Sequence, residues 1–227
     1  MPEKRAREES PDERAARRDR EEAVSGSQAP TTAEIQSANS QDFYASLDLT
    51  TNSIRLIRIR PELSSDGLIQ CDMRLGNTED TYTCLSYVWG EEPASHSIRI
   101  VNNLKTIRPN LYDFLKQARR LHHSKWLWID TLCIDQSNID ERNHQVQQMG
   151  SIYKRAEGVI SWLGNDEAVI RCLDLDADRD DRDTYEFTYL PYWKRAWITQ
   201  EIALARHVVL MAGPRNVELM DAAEFEL

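Results

Sequence analysis

The chain has 227 residues, 41% of them hydrophobic, which suits one domain with a tail. Its 38 acidic against 28 basic residues give a formal net charge of −10, the wrong sign for a protein that neutralises phosphates, so nucleic acid is not expected as a partner. No apolar run of roughly 18 residues occurs, and the opening MPEKRAREES lacks an apolar core, so neither a membrane span nor a signal peptide is expected.

Residues 1–41 alternate Arg with Glu and then turn to Ser, Gln, Ala and Thr, which reads as a disordered charged tail. From Ser53, Ile54, Leu56, Ile57 and Ile59 lie among arginines, as in a half-exposed strand. A turn at 64–67 leads to a second strand over Leu68–Leu75, and Thr81–Trp89 reads as a third that stops at Gly90. Ser97–Val101 and Thr106–Ile107 flank an Asn-Asn turn and predict a hairpin. A helix is expected from Pro109 to His122, with Leu111, Phe114, Leu115 and Ala118 as its apolar stripe.

Trp126–Ile129 is a short apolar run ending in Asp130, the pattern of a buried strand with a polar C-terminal edge. Asn138 and Glu141 have capping-box spacing, and Val146, Met149, Tyr153 and Ala156 recur as the buried face of the helix they begin. Val159–Leu163 is the next buried strand. This order predicts a parallel pair and an α/β fold: a mixed, centrally parallel sheet with helices on both faces and extra N-terminal strands. The stretch 165–190 reads as an acidic, irregular, solvated insert. Asp174, Asp176 and Asp178 alternate, but Arg179 stands where a calcium loop needs glycine, so no metal site is assigned. A helix over Pro191–Ala205 and a strand over His207–Met211 complete the prediction, with 214–227 left as a C-terminal remnant.

Three blocks stand out: Tyr82–Gly90 (YTCLSYVWG), Leu127–Gln136 (LWIDTLCIDQ) continuing to Trp162-Leu-Gly164, and Tyr192–Ala205 (YWKRAWITQEIALA). In order and content they resemble the HET domain of fungal heterokaryon-incompatibility proteins. The resemblance is expected to extend over 53–213, with core motifs at 82–164 and 191–213. It implies a cytoplasmic self/non-self recognition and cell-death signalling module that acts by self-association or with other incompatibility or signalling proteins. The segment 165–190 is shorter than in most HET proteins, which leaves an inactive fragment of a larger incompatibility protein as an alternative.

Ser86, Trp89 and Gly90 end one strand, while Asp130, Asp135 and Gln136 follow another; in open α/β sheets that edge binds ligands. Gly90 allows the backbone a tight turn or a close approach, and Trp128 and Trp162 read as core. HET domains are likened to TIR domains, of flavodoxin-like architecture, some of which cleave NAD with a glutamate in a Trp-x-x-x-Glu helix. Trp197-Ile-Thr-Gln-Glu201 matches that string. The resemblance makes Glu201 the candidate catalytic residue, Trp197 a ligand contact and NAD the candidate substrate, with no cofactor established. The alternative for Glu201 is an ion pair with Arg142 or Arg195.

The cysteines at 71, 84, 133 and 172 form no CxxC pair and read as reduced structural thiols. Cys133 with His144 as nucleophile and base is set aside, because a reactive thiol needs an electropositive, accessible setting.

Overall fold

The computed structural model describes residues 44–174, 177–178 and 180–219. The chain divides after Tyr44, and all that follows concerns the unit Ala45–Leu227. The charged tail expected over 1–41, and 220–227 of the expected remnant, lie outside the described residues.

Among the described residues, nine strands form one sheet: β1 (Ser53–Leu63), β2 (Ile69–Asn77), β3 (Thr83–Tyr87), β4 (His96–Ile100), β5 (Asn103–Ile107), β6 (Leu127–Trp128), β7 (Gly158–Trp162), β8 (Val208–Ala212) and β9 (Arg215–Leu219). Their spatial order is β5-β4-β2-β1-β6-β3-β7-β8-β9. Strands β6, β3, β7 and β8 run parallel. β1 is antiparallel to β2 and β6, β4 to β5, and β8 to β9, while β2 and β4 are parallel. The fold is therefore α/β, with a mixed sheet that is parallel at its centre.

The helices are α1 (Pro109–Leu121), α2 (Asp130–Cys133), α3 (Ile139–Arg155), α4 (Glu167–Cys172), α5 (Asp181–Thr188) and α6 (Ile198–Ala203), with a 3-10 turn at Pro191–Lys194. All five residues of β3 are buried, and alternate side chains leave a strand on opposite sides, so both faces of the sheet centre are covered. On one face the Tyr82 hydroxyl donates to the carbonyl of Ile152 in α3 at 2.8 Å. On the other, Trp162 donates from Nε1 to Asn110 in α1 at 2.9 Å and meets Phe114 edge-on. The predicted stripe of α1, Leu111, Phe114, Leu115 and Ala118, is its buried face.

Several expectations change. β6 and β7 are parallel but not neighbours, because β3 lies between them and α3 crosses over it. The predicted face of α3 holds in part: Tyr153 and Ala156 are buried, but Glu141, Gln145 and Ile152 join them while Val146 is 39% exposed. The insert at 165–190 is not irregular where it is described. Asp166 caps α4 and Asp180 caps α5 in a full capping box with Asp183. Val169 and Leu173 join the core cluster of Tyr192, Ile198 and Leu210. The helix expected over Pro191–Ala205 is broken between Lys194 and Ile198. The hairpin partner β9 had no counterpart in the sequence reading.

The largest departure is Arg55, expected on a half-exposed strand and found 1% exposed. The turn from α2 into α3 covers the face of β1 from which this side chain leaves. The guanidinium meets Glu141 through Nη1–Oε1 at 2.5 Å and Nη2–Oε2 at 2.9 Å, and it donates to the carbonyls of Cys133 and Ala45. Removing one partner of a buried pair leaves an uncompensated charge and costs about 3–5 kcal/mol. Exposed pairs such as Arg60 with Asp72 contribute about 0–1 kcal/mol. Urea denaturation is thus expected to show Arg55→Met losing about 3–5 kcal/mol, Arg60→Met under about 1 kcal/mol, and Arg55→Met with Glu141→Leu recovering part of the loss. Equal losses at positions 55 and 60 would refute the ranking.

Candidate functional site

The four parallel strands point their C-terminal ends to one rim, and a cleft of about 690 Å³ opens beside β3 and β6. Trp89, Gly90, Asp130, Arg195, Trp197 and Glu201 line it. Residues from all three blocks therefore meet at one place, although more than a hundred positions separate Ser86 from Glu201 (|i−j| is 115). Of the expected site residues, Ser86 lies behind the wall, bonded to Glu201. Asp135 and Gln136 are not part of the wall. Asp135 instead accepts from the backbone and hydroxyl of Ser137, closing the turn that precedes α3, and Gln136 donates to the Asp130 carbonyl at 3.2 Å.

β3 delivers Trp89 and Gly90 to the rim. Gly90 has φ +79°, a left-handed conformation that a side chain would strain. Arg108 bonds the Gly90 carbonyl oxygen, which ties this turn to the start of α1. Trp89 donates from Nε1 to Oδ2 of Asp130 at 2.8 Å, joining the first block to the second. Oδ1 of Asp130 accepts the Thr131 amide at 2.6 Å. Burial nevertheless raises the Asp130 carboxyl above the usual range; the Trp89 and Thr131 donors oppose that rise, and the Glu201 charge adds to it.

The third block reaches the rim through a buried network. Arg195 holds Glu201 in a two-pronged ion pair, Nη1–Oε2 at 2.8 Å and Nη2–Oε1 at 2.9 Å. The Ser86 hydroxyl also donates to Oε2, and the Tyr192 hydroxyl lies 2.8 Å from Ser86 Oγ. Burial pushes the Tyr192 phenol up to about 12, so it keeps its proton at neutral pH. Of the two partners expected for Glu201, Arg195 is the one found. Glu201 is 1% exposed, whereas Trp197 is 47% and Leu204 38% exposed. Trp197 is the N-cap of α6, and its indole stands at the cleft mouth.

Sequence reading missed Val146 and Met149 as wall residues, because their spacing matched a core stripe. Trp128 and Trp162 are core, at 0% and 1% exposure. All four cysteines are free, and burial pushes the Cys133 thiol up to about 12, far from a nucleophile's range. No helix among the described residues is long and apolar enough to cross a membrane.

Residues 82–186 match the family described as Heterokaryon incompatibility protein (HET). The likeness is to the HET domain. Among curated relatives, Heterokaryon incompatibility protein 6, OR allele, of Neurospora crassa is 33% identical over 140 residues, covering 55% of this chain and 20% of that protein. Vegetative incompatibility protein HET-E-1 of Podospora anserina is 27% identical over 125 residues, covering 53% of this chain and 9% of that protein. The chain thus corresponds to a fifth or less of the relatives' lengths. No solved structure matches. The family match ends at 186, so Arg195, Trp197 and Glu201 lie outside it and still complete the cleft.

A carboxyl whose proton affinity is raised by folding favours the folded state only while protonated. Stability from Asp130 is therefore full below the usual carboxylate value of 3.8 and is lost as pH rises through its higher folded value. Asp130→Asn carries no charge but has one oxygen for two donors, Trp89 and Thr131, so its absolute stability is not the readout. Its melting temperature relative to wild type is expected to rise between pH 3.5 and pH 7, because only wild type loses this group's contribution over that range. A constant or falling difference would contradict a raised Asp130 carboxyl.

Proposed function

We propose that this HET domain acts in fungal heterokaryon incompatibility, as a self/non-self recognition module whose engagement triggers cell death. What supports the reading is the convergence of the three blocks on one cleft: Trp89 from the first, Asp130 from the second, Arg195, Trp197 and Glu201 from the third. Both named relatives are incompatibility proteins. The partners are copies of itself or other incompatibility and signalling proteins, in the cytoplasm.

A second reading, a nucleotide glycohydrolase acting on NAD, draws on two carboxylates in the wall of a cleft with two half-exposed indoles: Asp130, and Glu201 behind Arg195. Carboxylates can stabilise an oxocarbenium-like centre during glycosidic cleavage. Its weakness is geometric. Both oxygens of Glu201 are engaged by Arg195, and one also by Ser86, so Glu201 reaches a substrate only if Arg195 moves.

Induced expression in a fungal host is expected to arrest growth. Trp197→Ala removes a 47% exposed indole and should abolish arrest while changing stability by no more than about 0.5 kcal/mol. Arrest that persists in Trp197→Ala would separate the response from the cleft. A folded wild type without effect would support the inactive-fragment alternative. Nicotinamide release from NAD by purified protein, lost in a folded Glu201→Gln, would establish the second reading, and no release by wild type would remove it.

A further inference from the structure

A smaller cavity of about 190 Å³ lies beside the cleft, and Trp89 is the single residue that lines both. Its ten wall residues include two cations, Lys105 from β5 and Arg108 ahead of α1, and no carboxylate. That is unexpected in a chain of net charge −10. Tyr87, Thr131 and Gln136 add polar groups to the wall. The Tyr87 and Thr131 hydroxyls bond each other at 2.6 Å. Arg108 donates from Nη1 to the Gly90 carbonyl oxygen, leaving further N–H groups on a guanidinium that carries five.

The geometry points to a binding site for a small oxyanion, of the phosphate or short carboxylate class, held between Lys105 and Arg108. Size sets the class. The volume is below the roughly 300–1,000 Å³ of pockets for drug-sized ligands, and it equals about six waters at roughly 30 Å³ each. The space suits a compact anion better than a whole nucleotide. Charge agrees: burial lowers the proton affinity of Lys105, and Asp135 offsets this in part from outside the wall. An anion inside the cavity would stabilise the ammonium form directly. The assignment does not depend on the identity of the larger cleft's ligand, although the two spaces share the Trp89 indole, which also holds Asp130.

Isothermal titration of the full chain with inorganic phosphate and with malonate, against chloride at matched ionic strength, tests this. At least one anion is expected to bind saturably at about 1 mM or tighter. Lys105→Met and Lys105→Gln, each verified as folded by circular dichroism, should weaken it at least tenfold. Trp197→Ala, which lines only the cleft, should leave it within twofold. Which anion binds distinguishes the phosphate from the carboxylate source. The absence of saturable binding, wild-type affinity in both Lys105 variants, or an equal loss in Trp197→Ala would each overturn the assignment. None of these outcomes bears on growth arrest, so this site and the proposed function fail separately.

Discussion

A guanidinium removed from water organises the second block. Arg55 lies on β1, inside the sheet, and at 1% exposure its charge must be matched within the protein. Glu141, in the first turn of α3, supplies the match, and its Oε1 also accepts the Asp135 amide at 2.7 Å. Arg55 further donates to the Cys133 carbonyl at 3.1 Å. The turn from α2 into α3 is thereby held at both ends by one ion pair. Asp130 sits at the start of α2, so its place at the rim follows from the same contacts.

A second ion pair does for the third block what the first does for the second. Arg195 and Glu201 are six positions apart. Residues meet across a continuous helix at steps of three and four, not six. The break between the 3-10 turn and α6 is what lets the guanidinium fold back onto the carboxylate. Arg195→Ala would leave Glu201 as an unpaired buried charge, so such a variant would confuse lost function with lost fold. Trp197 lies in the same break, yet it is exposed and makes no such pair.

Much of this was legible in the sequence, because it is written locally. Pro109 with an apolar stripe specifies α1, Asn138 specifies the start of α3, and the apolar run before Asp130 specifies a buried strand and its polar edge. The candidate rim residues Trp89, Gly90, Asp130, Trp197 and Glu201 were readable from the three blocks. What was not legible is non-local. Periodicity places every strand arginine in solvent, and the partner that overrides this for Arg55 is 86 residues away. Nothing in WKRAWITQE contains a Gly or Pro to announce a helix break; a contact formed only in the folded chain explains it. The acidic run looked solvated by composition, yet Asp166 and Asp180 act as caps, and Asp183 is 2% exposed against Arg171.

The two ion pairs differ in what they leave free. Arg55 is enclosed, so its pair acts as scaffold. Arg195 keeps 21% of its side chain exposed while Glu201 keeps 1%, so the pair presents its cationic side to the cleft and hides the anionic one. A ligand in the cleft meets the guanidinium first. To displace Arg195, a ligand must offer a comparable acceptor, because otherwise Glu201 is stranded beside Ser86 and Tyr192. Ser86 belongs to β3, at the centre of the parallel strands, so the cleft cannot be rearranged at Arg195 without disturbing a bond to the middle of the sheet. The same network that attaches the third block to the domain therefore sets the condition under which its carboxylate can be exposed.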